Sequence, residues 1–111
     1  MQTIDFIDFQ RIDFRIGTII RVEKFDKARK PAYKLWVDLG ELGIKKSSAQ
    51  ITDLYTSDML LGKQVICVCN FAPKQIADFM SEVLVTGFDD GNRQIILATS
   101  DKLVPNGAKL H

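Results

Sequence analysis

The chain has 111 residues, 46% of them apolar and 26% charged, which suits one domain over 1–111 burying roughly two-thirds of its unfolded surface. Fifteen Lys and Arg against 14 Asp and Glu leave a net charge of +1, so no whole-molecule field marks a nucleic-acid or membrane binder. The longest apolar run, Val65 to Cys69, falls far short of the roughly 20 residues a bilayer span needs, and Asp5 and Asp8 interrupt the N-terminal apolar residues where a secretory leader would be continuous; no membrane span and a cytoplasmic location are expected.

In chain order, Phe6, Ile7, Phe9 and Ile12 form a near-helical apolar stripe, suited to a partner subunit or to packing over one end of the fold. Residues 14–23, FRIGTIIRVE, alternate as a half-buried strand with Ile16, Ile20 and Val22 on one face and Arg15, Arg21 and Glu23 on the other. Gly17 marks a bend or a close backbone approach. Tyr33, Leu35, Val37 and Leu39 make the inner face of a second strand, with Lys34, Trp36 and Asp38 opposite. After a turn at Gly40 and Gly43, Ile44–Lys46 reads as a short third strand. Ser47-Ser48-Ala49-Gln50 has the capping-box pattern, predicting a helix that carries Ile51, Leu54 and Tyr55 and stops before Gly62. Val65–Phe71 reads as a central strand containing Cys67 and Cys69 as reduced thiols, and Pro73–Glu82 as an ordered loop. A strand at Val83–Thr86, a hairpin turn at Asp90-Gly91, a strand at Ile95–Ala98 and an extension over 104–107 complete the chain.

About five main strands with one helix between the third and fourth predict an all-β fold, a five-stranded Greek-key barrel of the oligonucleotide/oligosaccharide-binding (OB) type with terminal extensions. An open α+β sandwich is the alternative.

Residues 21–46 hold eight cations against four anions, a local net of +4 within a nearly neutral chain. These cations, including Lys34, Lys45 and Lys46, fall on the first strands and their connections, where an OB barrel presents its ligand face. The cluster suits phosphate contacts, or simply a solvated basic surface. Alternation puts Trp36 beside Lys34, where the indole either stacks on a base or packs under a loop or at an interface. Phe71, Ile76, Phe79 and Met80 form an apolar set able to line a peptide pocket, or to serve as core. The only imidazole is His111, so neither a nucleophile–base pair nor a metal-ligand set emerges; no enzyme activity, cofactor or metal is expected.

Four segments together carry a family likeness: DFRIGTI at 13–19, PAYKLWVDLG at 31–40, LLGKQV at 60–65 and NFAPKQIADFMSEVLV at 70–85. They resemble the tRNA-binding domain family over most of the chain and, within it, the CsaA branch; related domains stand at the C-terminus of methionyl-tRNA synthetases. The resemblance implies a homodimer that recognises tRNA by shape and backbone, with Lys34, Asn70, Lys74, Ser81 and Leu84 contributing to the RNA face and Glu82 holding its loop through backbone amides. It also implies a second possibility, an export-related chaperone binding precursor polypeptides and the export machinery. Asp78 stands where relatives often carry glycine; aspartate tolerates left-handed backbone, and its charge is expected to weaken RNA binding. Val83 and Ala49, also at glycine positions of the synthetase-type relatives, fit the CsaA branch.

Overall fold

The computed structural model describes all 111 residues. Its organising element is an 11-residue strand, β1 (Phe14–Lys24), too long to be served by one neighbour on each side. β2 (Tyr33–Asp38) pairs with its second half, and β4 (Gln64–Val68) with its first half on the other edge. β3 (Ile44–Ala49) pairs with β2, and β7 (Leu84–Val85) with β4, giving an antiparallel sheet in the order β3-β2-β1-β4-β7. The ends of this sheet approach one another: the Glu82 and Val83 amides donate to the Lys46 carbonyl, at 2.8 and 3.2 Å. The result is a nearly closed five-stranded barrel of the OB type, as expected.

Inside lie Ile19, Leu35, Val37, Leu39, Leu60, Val65 and Cys67, all fully buried. Each large aliphatic side chain removed from water contributes about 1.5–3 kcal/mol. Gly17 makes room for this core: a Cβ there would stand 2.4 Å from Val37 Cγ1 and 2.7 Å from Leu39 Cδ2.

Five details correct the sequence-based expectations. The β1–β2 register shifts between Ile19 and Arg21, so Ile19 turns inward and Ile20, expected in the core, is exposed. Such a bulge reverses the alternation beyond it. Ser47 starts no helix: it lies buried in β3 opposite Leu35, where ladder pairing satisfies the backbone. The helix between β3 and β4 is a single turn, α2 (Ser57–Leu60), capped by Thr56, whose hydroxyl accepts from the Met59 amide at 3.3 Å. The central strand ends at Val68 rather than Phe71. The segment expected as a loop is a hairpin, β5 (Lys74–Ile76) and β6 (Phe79–Ser81), and its left-handed residue is Ala77 (φ 51°), not Asp78.

Past β7 the chain forms a second hairpin, β8 (Gly87–Asp89) and β9 (Ile95–Leu97). Its turn is held by Asp90, whose carboxylate accepts from the Asn92 amide at 2.7 Å. The C-terminal extension then fills the free edge of β1: the Gly107 amide donates to the Ile16 carbonyl at 2.7 Å and the Leu110 amide to Phe14 at 3.1 Å. Gln64 clamps this segment with both ends of its amide, donating to the Val104 carbonyl (2.7 Å) and accepting from the Val104 amide (3.1 Å). The N-terminal stripe forms a short helix, α1 (Phe6–Gln10), with no buried residue; Phe6 is 69% exposed and Ile7 63%. No helix is long and apolar enough to cross a membrane.

Candidate nucleic-acid interface

The outer face of β1, β2 and β3 carries the polar half of their alternation. Pairing aligns Arg21 of β1, Trp36 of β2 and Lys46 of β3 in one row across the strands, and Glu23, Lys34 and Ser48 in the next. Three cations thus share one sheet face. The β1 bulge helps create it by turning Arg21 outward.

A satellite apolar cluster of Phe25, Ala32 and Phe79 sits against this face, joined by half-buried Trp36 and Ile76. Phe79 packs edge-on against both Phe25 (centroids 5.4 Å apart) and Trp36 (5.9 Å). The cations lie over these rings: Lys34 Nζ is 5.1 Å from the Phe25 centroid and 5.4 Å from that of Phe79, Lys46 Nζ is 5.3 Å from Phe79, and the Arg21 guanidinium stands 4.4 Å over Trp36. Arg21 also pairs with Glu23. The indole is therefore not the free stacking platform its alternation suggested, because one face is covered by Arg21 and an edge meets Phe79.

The segment 81–83 is stitched to β3 by side chains. The Ser48 amide donates to Ser81 Oγ at 3.2 Å, and the Lys46 amide to Glu82 Oε1 at 3.1 Å. Glu82 thus accepts a backbone amide, that of Lys46 on β3. Lys74, exposed, pairs with Ser81 across the β5–β6 hairpin. Lys27 Nζ binds Asp78 Oδ2 at 2.8 Å, tying the β1–β2 loop to the hairpin turn. That hydrogen bond and charge raise the Lys27 pKa and lower that of Asp78.

The structure brings Lys34, Trp36, Lys46, Lys74 and Ser81 to one region and leaves other candidates out of it. Lys45 lies on the Ser47 side of β3, opposite Lys46. Asn70 is a strut: it accepts from the Asp13 amide at 3.0 Å and donates to the Arg11 carbonyl at 2.8 Å. Leu84, 47% exposed, by contrast borders the region, lining a cleft of about 370 Å³ with Phe71, Lys74 and Ser81. The apolar set Phe71, Ile76, Phe79 and Met80 does not converge on one pocket. Phe71 belongs to that cleft, Ile76 and Phe79 to the satellite cluster, and Met80 alternates to the opposite side of β6. Phe25 was missed as an interface residue; Arg21 falls within the basic block of the ligand face, but its row with Trp36 depends on a bulge that alternation alone does not reveal.

The two thiols are remote from this face. Burial, then the neighbouring Cys69, pushes Cys67 up to about 12; burial and the Asp13 carboxylate push Cys69 up to about 11.

The family model described as "Putative tRNA binding domain" matches residues 14–109. The chain belongs to this tRNA-binding domain family. Among solved members, the chaperone CsaA of Bacillus anthracis str. Ames is 44% identical with a TM-score of 0.93, the match covering 99% of this chain and all of that one. The CsaA chaperone protein of Picrophilus torridus is 46% identical with a TM-score of 0.92, over 98% of this chain and 100% of its own. A methionine–tRNA ligase of Methanocaldococcus jannaschii is 32% identical over 110 residues, 99% of this chain but 17% of the ligase. For a tRNA-binding domain the layout is coherent: the barrel supplies a rigid wall, and its outer β1–β2–β3 face carries exposed Arg21 beside half-buried Lys34 and Lys46.

Proposed function

We propose that this chain is a non-catalytic, structure-specific binder of tRNA, working as a cytoplasmic homodimer. The observation that carries the reading is the array of Arg21, Lys34 and Lys46 on one sheet face of a tRNA-binding-family barrel. Ammonium groups there neutralise phosphate and release counterions, while Ser81 and Lys74 extend the polar track along the hairpin. RNA duplexes are read by shape and backbone, which suits a face of point charges on a fixed frame. Dimerisation is supported by the apolar surface left open at one end: Phe6 and Ile12 are exposed in a cleft with Leu110, and Ile7 of the same short helix is exposed as well.

Filter binding of folded tRNA across a salt series tests the proposal. Association should be salt-sensitive, and Lys34→Ala should weaken it and reduce the slope of log affinity against log salt by about 0.7–0.9. Affinity no better than for an unrelated acidic polymer would reject it.

A second reading, chaperone binding of precursor polypeptides in export, is favoured by Phe71, which is 57% exposed in its apolar cleft, and by the two solved relatives described as chaperones. Failure to suppress aggregation of an unfolded client would count against it.

A further inference from the structure

We propose that Phe79 is a positioning residue of the RNA face: its one buried ring holds the ammonium groups of Lys34 and Lys46, and the indole of Trp36, in the arrangement that meets phosphate. The inference rests on the tRNA-binding reading above.

Phe79 is 5% exposed, so its ring cannot stack on a base. It is also the only buried residue of the β5–β6 hairpin. The satellite cluster it joins is separate from the barrel core. A ring in that position anchors the hairpin, which carries Lys74 and Ser81, onto the β2–β3 surface.

The same ring meets three groups of the interface at once, with Lys34 Nζ at 5.4 Å, Lys46 Nζ at 5.3 Å and the Trp36 ring at 5.9 Å. A lysine ammonium rides on a flexible four-carbon stem, and holding it against phosphate costs rotamer entropy. The negative face of an aromatic ring lowers that cost by localising the cation before RNA arrives. An ammonium has three N–H donors, so one side can rest on the ring while another faces a phosphate oxygen. Phe79 therefore strengthens binding without adding a contact. Removing the ring should weaken affinity but leave the number of phosphates neutralised unchanged, whereas removing a lysine lowers both.

The geometry has a signature that needs no RNA. In NMR spectra of the free wild-type protein, the ε-methylene protons of Lys34 and Lys46 should be shifted upfield by ring currents relative to those of Lys63, with the Lys46 shift lost in Phe79→Leu. In tRNA binding, Phe79→Leu should weaken affinity roughly tenfold, from the loss of two cation–ring contacts, with the salt slope unchanged. Lys34→Ala/Lys46→Ala should cut the slope by about 1.4–1.8, and adding Phe79→Leu to that pair should weaken binding much less than Phe79→Leu weakens the wild type, the remainder being its hold on Trp36 and the hairpin. Phe79→Met replaces Phe79→Leu should the latter not fold, and the wild-type shifts require no variant.

Ordinary wild-type shifts would overturn the proposal. So would Phe79→Leu binding like wild type while Lys34→Ala binds weakly, or an equal loss with and without the lysines, which would make the ring's role structural only. Wild-type protein that does not bind tRNA while the shifts persist would instead remove the functional reading, and this inference with it.

Discussion

Ser81 and Lys34 meet through one residue: Ser48 is the ladder partner of Lys34 on β3, and its amide donates to Ser81 Oγ at 3.2 Å. The hydroxyl of the 81–83 segment is thus fixed by the strand beside the cationic row. Much of its hydrogen-bonding capacity is spent on that closure.

Ser81→Ala should therefore destabilise the barrel by about 1–3 kcal/mol, because the Ser48 amide loses its partner. Glu82→Ala should do the same through the Lys46 amide, 3.1 Å from the Glu82 carboxylate. Urea unfolding measures both, and midpoints equal to wild type would show that water replaces these bonds freely.

Gly17→Ala should cost about 1–3 kcal/mol, since the new methyl enters a filled interior. Its Cβ would lie 2.4 Å from Val37 Cγ1 and 2.9 Å from the Asp38 carbonyl oxygen. A melting temperature within a degree or so of wild type would mean that Val37 and Leu39 repack.

Cys67 predicts an alkaline loss of stability. Folding raises its pKa from 9.0 to about 12, so between those values the unfolded chain releases the proton first and the folded state is progressively disfavoured. Below 9.0 the thiol is protonated in both states and the effect is flat. Cys67→Ala should remove part of the alkaline slope; an unchanged slope would assign it to other groups.

Asp78 occupies a cation of the basic block. Asp78→Asn should free Lys27 for phosphate, strengthening tRNA binding several-fold and steepening the salt slope by up to about 0.9. The lowered Asp78 pKa means that the pair's contribution holds above the ordinary carboxylate value and is lost as pH falls through the lowered one. The raised Lys27 pKa means that it holds below the ordinary lysine value and is lost as pH rises through the raised one. Both groups are largely exposed, so unfolding midpoints should barely move. Weaker binding by Asp78→Asn would show that the ion pair organises the face rather than masking it.

The open apolar end gives a test of assembly. Sedimentation at micromolar concentration should give twice the 12.5 kDa chain mass, and Phe6→Asp/Ile7→Asp should give the single chain. Wild-type protein running as one chain would refute the dimer.

The barrel was legible because alternation is a strong signal where one face is buried: Tyr33, Leu35 and Val37 do point inward and Lys34 and Trp36 outward. The helix boundary was not. Ser47–Gln50 has a local preference for capping, but β2 offers the same backbone a full ladder, and long-range pairing prevailed. The β5–β6 hairpin escaped notice because its strands are three residues each and its turn uses Ala77, not a glycine or asparagine. For the interface, charge clustering identified the strands, while the ring beneath the ammonium groups came from a distant segment that composition could not connect to them.

The divided edge of β1 also governs the order in which the molecule can be completed. Arg15 donates to the Gly107 carbonyl across 92 positions of sequence, so a nascent chain must expose its first strand with that seam vacant until Gly107 has left the ribosome. An unpaired strand edge is a template for pairing with another chain. Synthesis thus carries an interval of aggregation risk that ends only when the tail docks.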